Sequence, residues 1–314
     1  MAKKIWAVGG GKGGTGKSLI TAGLGYHLAA AGHRTILIDA DFGAPNLHTF
    51  FGLKNERPDI GDFIMNRAGT LAETAIPVDG TGLKLIKGTE NVLFTANLNH
   101  YRKLRFLRQV RHIEADQVVL DLGTGTAFNM LDFFLSADPG IIVIAPEPTS
   151  VENSVLFLKS CIIRMLKLYL DHFKKAGLQA RIESYMTNNS NTLYGFFQSV
   201  MEEDRTFGLT LYRCLKTFRP CLIVNKARSA RDEDLGRSLA GALRKFLVID
   251  IQYLGAVPFD GRIEDSLRDF KLFFSEYPDA PASEAIRRIA SRLVHSAEFT
   301  TRPAPAAGPG QTAD

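Results

Sequence analysis

The run Gly11-Lys12-Gly13-Gly14-Thr15-Gly16-Lys17-Ser18 admits very few folds. An apolar stretch, Ile5-Trp6-Ala7-Val8, precedes it, and a helix-like segment from Leu19 to Ala31 follows. Strand, glycine loop and helix in that order make a phosphate cradle. The glycines let backbone N–H groups turn inward, and the helix aims the positive end of its dipole at the same anion. Lys17 is expected to reach the β- and γ-phosphates, and the Ser18 hydroxyl to bind Mg²⁺. The expected nucleotide contacts run through Gly11, Lys12, Gly13, Gly14, Thr15, Gly16, Lys17, Ser18 and Leu19.

Such a loop needs a parallel sheet around it, and the rest of the chain supplies one. Short apolar, β-branched runs recur at Ile5–Val8, Thr35–Ile38, Leu83–Ile86, Val118–Leu120, Ile141–Ala145, Leu222–Val224 and Ile251–Val257. Strands apolar throughout are buried on both faces. Helical stretches lie between them, at Lys17–Ala31, Tyr101–Glu114, Val151–Lys175, Glu233–Phe246 and Ser283–His295. This alternation predicts an α/β, doubly wound, mostly parallel sheet flanked by helices. Residues 1–298 are expected to form a single domain with a helical insertion of one or two helices at about 176–218. The Pro/Ala/Gly-rich segment 299–314 cannot bury a core and is expected to be a disordered tail.

Composition narrows the class further. The chain has 314 residues, 45% hydrophobic and 23% charged, which suits one large globular domain. Its formal charge of +5 permits an anionic partner without requiring one. Cys161, Cys214 and Cys221 form no C-x-C or C-x-x-C pair, so neither a disulfide framework nor a metal knuckle is indicated. No apolar stretch approaches the roughly 20 residues that span a bilayer. The first strand begins almost at once, so no signal peptide is expected and the location is read as cytoplasmic.

The remaining chemistry falls at predicted strand ends. Lys12 is a second lysine that an ordinary phosphate loop does not need. It can lean away from its own nucleotide and reach phosphates held by a second subunit, or be a solvated surface lysine. Asp41 is placed to orient the attacking water and Asp39 to support the Mg²⁺ shell, the alternative for each being a cap on the following turn. Asp121 closes the strand Val118-Val119-Leu120 and is the expected Mg²⁺-water ligand. The small residues after it, Gly123-Thr124-Gly125-Thr126, look like a switch loop. Asn225-Lys226-Ala227-Arg228 stands where GTPases carry N-K-x-D. Arg228 cannot accept hydrogen bonds from guanine, so adenine is expected, with Asn225 on its edge or serving a turn. The cations Arg102, Lys103, Arg105, Arg108 and Arg111 form a stripe that can meet nucleic acid or an acidic membrane, or be a solvated helix face.

These runs resemble the deviant-Walker ATPases of the MinD/ParA group, whose hallmark is the early lysine of Lys12-Gly-Gly-Thr-Gly-Lys17-Ser18. Asp39-Ala-Asp41-Phe-Gly-Ala-Pro-Asn-Leu, Leu131-Asp-Phe-Phe-Leu-Ser-Ala-Asp, Pro146-Glu-Pro-Thr-Ser and Val224-Asn225-Lys-Ala-Arg-Ser are most similar to flagellar-number regulators of the FlhG/FleN type. The resemblance covers about residues 3–160 and 220–295. It implies slow, partner-stimulated ATP hydrolysis with Mg²⁺ by a face-to-face homodimer holding two ATP molecules. In it Lys12 crosses the interface, Asp41 positions water and Asp121 holds the magnesium shell. Glu147 and Pro258 match family positions near the nucleotide or the dimer interface. An unidentified protein activator or cargo, and a membrane surface, cell pole or nucleic acid on which the cycle runs, belong to the same expectation. The chain departs from the pattern in three ways. It begins at the first strand, where the flagellar regulators carry an extension. Its last helix reads as a core-packing element rather than a membrane-targeting one. Its segment from about Ala176 to Phe218 is longer than the family needs. The function expected is a switch for spatial or numerical regulation of a cellular structure. The alternatives are a ParA-like DNA or cargo-partitioning ATPase and a metallocofactor-insertion ATPase, the latter disfavoured because no cysteine follows the switch region at Asp121.

Overall fold

A computed structural model describes residues 3–54, 57–89, 98–187 and 193–295. The segment 299–314 lies outside the described residues. Eight strands form one sheet: β1 (Lys4–Gly9), β2 (Thr35–Ala40), β3 (Ala75–Pro77), β4 (Lys84–Ile86), β5 (Gln117–Leu122), β6 (Gly140–Ile144), β7 (Cys221–Ala227) and β8 (Gln252–Pro258). Their order is β3-β4-β2-β5-β1-β6-β7-β8. Every pairing is parallel except β3 with β4. The expected doubly wound architecture is therefore present, and all seven predicted runs are strands. The added β3 is a short antiparallel edge whose sequence, Ala-Ile-Pro, carries no alternation to mark it.

Strand alternation divides the interior into two cores. Ile5, Ala7, Ile36, Ile38, Val118, Leu120, Ile142 and Ile144 point to one face. Trp6, Val8, Leu37, Val119, Ile141 and Val143 point to the other. The first face is covered by α3 (His100–His112), α4 (Phe128–Leu135), α5 (Pro148–His172) and α9 (Ala230–Leu247), after α1 (Lys17–Ala30) and the single-turn α2 (Ile60–Ile64) in chain order. Phe106, Phe133, Phe157 and Leu243 carry that cover. The second face is closed by α1 and by α12 (Pro281–His295), with α10 (Arg262–Arg268) and α11 (Phe273–Glu276) leading into α12.

Between α5 and β7 the chain forms α6 (Ala176–Thr187), α7 (Leu193–Glu203) and α8 (Arg205–Lys216), three helices rather than one or two. Asp204 separates α7 from α8 by accepting from Phe207 N at 2.9 Å, an N-cap in the middle of an otherwise continuous helical pattern. Phe196, Phe197, Leu211 and Leu215 bury themselves in the first core.

The last helix is a core element. Ala282, Ala285, Ile286, Ile289 and Leu293 are buried, and Arg292 beside them donates to Leu254 O of β8 at 2.6 Å. Among the described residues no helix is long and apolar enough to cross a membrane. Ile286→Ala should therefore destabilise the protein by about 2–5 kcal/mol in urea unfolding, while Arg288→Ala changes stability little. An apolar stripe reserved for lipid would give the reverse, with unchanged stability and lost vesicle binding.

Candidate nucleotide site

The P-loop leaves β1 at the sheet's centre, and α1 begins at Lys17. Gly16, the residue before the helix, has φ of 89° and no side chain to cap the first turn, so those N–H groups face outward. Two outside elements clamp the loop. Asn153 of α5 presses on Gly11 so closely that a Cβ there would lie 2.0 Å from its carbonyl oxygen. A Cβ on Gly16 would lie 2.1 Å from Asn225 Nδ2. The Thr15 hydroxyl is buried without a hydrogen-bond partner, which fits a loop shaped to meet a polar ligand.

Asn225 and Lys226 hold the loop from the end of β7. Asn225 is buried, and its Nδ2 donates to Thr15 O at 2.8 Å. Lys226 Nζ donates to Gly14 O at 2.8 Å. The amide nitrogen is thus turned into the P-loop, a structural contact close to the turn-serving alternative for Asn225. Pro258, half-buried, ends β8 opposite Ala227. Arg228 stacks on the Phe259 ring at 3.9 Å.

The carboxylates come from adjacent strands. Asp39 and Asp121 are direct register partners across β2 and β5, and both are buried. Thr21, one turn along α1 from Ser18, donates to Asp121 Oδ1 at 3.0 Å. Burial pushes the Asp121 carboxyl up to about 6, against hydrogen bonds from Ser18 and Thr21 that favour its charge. Burial and the neighbouring Asp121 raise Asp39 well above the carboxylate range. Its oxygens are committed to the backbone: Oδ1 accepts from Asp41 N at 3.1 Å and Oδ2 from Leu47 N at 3.0 Å. Asp39 therefore shapes the 41–47 turn, the capping alternative. Asp41 Oδ1 accepts from Gly43 N at 2.9 Å and Ala44 N at 3.1 Å. Its carboxylate rests on the switch loop, where a Cβ on Gly123 would lie 2.8 Å from Oδ1.

The two lysines occupy opposite environments. Lys17 is buried and bends back to Lys12 O at 3.4 Å. Burial lowers its pKa, while Asp121 and Asp41 pull it up. Lys12 is half-buried and turns towards the start of α5, donating to Glu147 Oε2 and Thr149 Oγ1, each at 2.7 Å. That hydrogen bond holds the Glu147 carboxyl below its usual range. The Pro146-Glu-Pro-Thr-Ser run is thereby explained. Pro148 starts α5, Glu147 and Thr149 hold Lys12, and the buried Ser150 accepts from Ala145 N at 3.0 Å. Thr21 is the candidate site residue that the sequence reading missed, its one signal being its helical spacing from Ser18; Gly123, Thr149 and Lys226 lay in motifs that were read, but their partners were not.

The residues present fit Mg²⁺ and a nucleotide, since two buried carboxylates, a buried lysine and an orphaned hydroxyl converge on one loop. The basic stripe fits its expected partners less well. Lys103 pairs with Asp132, and Arg105 lies over the Phe63 ring at 4.2 Å and bonds Phe63 O and Asn66.

Comparison with known proteins bears on this geometry. A family model described as "ParA: NUBPL iron-transfer P-loop NTPase" matches residues 1–167. The antiactivator FleN of Pseudomonas aeruginosa is 24% identical over 297 residues, covering 92% of this chain and 86% of that protein. An iron-sulfur cluster carrier protein of Aquifex aeolicus is 42% identical over 160 residues, covering 48% of this chain and 42% of its own. The septum site-determining protein MinD from Pyrococcus horikoshii, solved with Mg-ADP, has a TM-score of 0.61 at 17% identity, covering 93% of this chain and 96% of that one.

Buried carboxylate charge leaves a mark on stability. Asp121 titrates near 6 when folded, against 3.8 ordinarily, so folding takes up a proton in that window. The stability contributed by this group then falls as pH rises through it. Asp121→Asn should stabilise the nucleotide-free protein at pH 7 by about 1–3 kcal/mol and flatten the slope between about pH 4 and 6. Thermal melts across pH check this. A variant that melts lower than wild type at pH 7 would contradict it.

Proposed function

Because the chain belongs to the ParA family of P-loop NTPases, we propose that it is a MinD/ParA-type ATPase whose ATP-gated dimer switches the placement or number of a cellular structure. It would act in the cytoplasm, with peripheral attachment at a membrane or pole. The observation that carries this reading is the position of Lys12. The loop's extra lysine is half-buried at the rim of the loop, its side chain 34% accessible, held by Glu147 and Thr149 and turned off its own loop. A lysine so placed is available to phosphates held by a second copy of the chain.

The other roles follow from the surroundings of each group. Lys17 is buried beside the carboxylates, where a positive charge on phosphate is strengthened by low dielectric. Ser18 and Asp121 would hold Mg²⁺, Asp121 through water, and the ion when bound neutralises charge on the phosphates. Asp41 rests against the switch loop, a suitable position for orienting water. Thr124 lies beside the loop at Gly13, so the switch loop is within reach of a γ-phosphate.

Similarity to FleN over 92% of the chain, and to the flagellum site-determining protein YlxH of Helicobacter pylori over half of it, supports a flagellar cargo. A second reading, iron-sulfur cluster carriage, is favoured by the Aquifex relative. Cysteine placement argues against it. Cys161 and Cys221 are buried, and burial raises the Cys161 thiol pKa, which disfavours the thiolate that binds iron. DNA partitioning is weakened by the internal use of Lys103 and Arg105.

Asp41→Ala should cut ATP turnover by about a hundredfold or more while ATP still binds and the dimer accumulates. Unchanged turnover in a phosphate-release assay would overturn the role of Asp41. Lys12→Ala should weaken ATP-driven dimerisation by about tenfold or more, with nucleotide affinity of the monomer nearly unchanged. Sedimentation showing an intact ATP dimer would remove the trans role.

A further inference from the structure

The sheet carries a second concave site at the end opposite the P-loop. There the segments entering β6, β7 and β8 meet α8 and α9 around a cavity of about 980 Å³. In parallel α/β sheets the nucleotide lies at the carboxyl ends of the strands, so this amino-end cavity is separate from it. β7 makes the separation plain, since Cys221 enters beside Pro220 of the cavity wall while Asn225 and Lys226 reach the P-loop.

Its lining has a one-sided charge. Arg213, Lys216, Arg219, Arg237 and Arg244 line it, against the carboxylates of Asp138 and Asp250. Asp250 is matched by Arg244 at 3.2 Å, and Arg237 pairs with Asp234 at 2.5 Å. Among the described residues Arg213, Lys216 and Arg219 form no ion pair. The floor is apolar, with Phe134, Pro139, Pro220 and Ile251. Like charges gathered around a concavity repel one another and raise the local concentration of anions. The volume is that of a small-molecule pocket, and guanidinium forks match phosphate oxygens in pairs. A duplex needs cations along a strip that follows its backbone, whereas these cations gather around one concavity with apolar residues in its lining.

We propose that this cavity binds a small phosphate-bearing molecule, its phosphate held by Arg213, Lys216 and Arg219 and its ring or hydrocarbon part on the Pro139–Pro220–Ile251 floor. The cations come partly from the 176–218 segment, so the insertion builds a ligand site. The inference does not depend on what the dimer switches.

The test is titration calorimetry of the full chain, its P-loop saturated with Mg-ADP, using 1-naphthyl phosphate as probe and inorganic phosphate as the charge-only control. One site is expected, with inorganic phosphate competing more weakly. Arg213→Ala with Arg219→Ala should weaken binding at least about tenfold, and Arg213→Lys with Arg219→Lys should lie between that and wild type. Both positions are exposed, so melting curves should superimpose. Absence of binding to the Mg-ADP form, or equal binding by the double Ala variant, overturns the proposal. Retention of a short DNA duplex by these arginines, without binding of naphthyl phosphate, overturns it as well.

Discussion

Everything at the nucleotide site depends on the register between β2 and β5. Parallel pairing sets Asp39 beside Asp121 at the strand ends, both buried. Two carboxylates so placed cannot both ionise without help. Asp39 takes N–H donors from Asp41 and Leu47. Asp121 takes Thr21 from α1. Lys17 supplies positive charge, and the remaining deficit is what a divalent cation would fill. The two hydrophobic cores bear the cost, since alternating Ile, Val and Leu on both faces of the central strands fix a register that charge alone would oppose.

The P-loop is equally dependent on its neighbours. A glycine loop free of contacts would lose its shape to conformational entropy. Here α5 seats Gly11 and β7 seats Gly16, with Asn225 and Lys226 pulling on the Thr15 and Gly14 carbonyls. The loop is preorganised by residues more than a hundred positions away in sequence, so changes at β7 or α5 reach the phosphates without touching them.

That distance also explains what the sequence disclosed. The cradle, the two-faced strands and the strand-end acids are local patterns, and they were legible because periodicity and spacing dictate them. The direction of Asn225 was not, because a strand-end amide chooses its partner from whatever tertiary contact arrives, here Thr15 O. Nor was the commitment of Asp39, whose partner Leu47 is set by how the intervening turn folds back. The basic stripe looked continuous along α3, yet Lys103 is drawn inward by Asp132, an acid on another helix. The 176–218 segment was expected to form one or two helices, and the side-chain bond of Asp204 to Phe207 N marks a boundary within it. The cavity at the amino ends of the strands combines α8, α9 and three strand entries, a conjunction no single window of sequence contains.

The contrast between the two lysines bears on how such a switch would work. Lys17 is buried among carboxylates, and moving it would strand charge in a low-dielectric interior. Lys12 is held by an exposed carboxylate and a hydroxyl, with Glu147 more than half accessible. Solvent screens that contact, so exchanging it for a phosphate costs little. Under the proposed mechanism the buried lysine keeps the nucleotide in place, and the more accessible one changes partners. Glu147 and Thr149 then compete directly with the second copy's nucleotide for Lys12. Their strength sets how readily the dimer forms, and stronger retention of Lys12 would shift the balance towards the monomer.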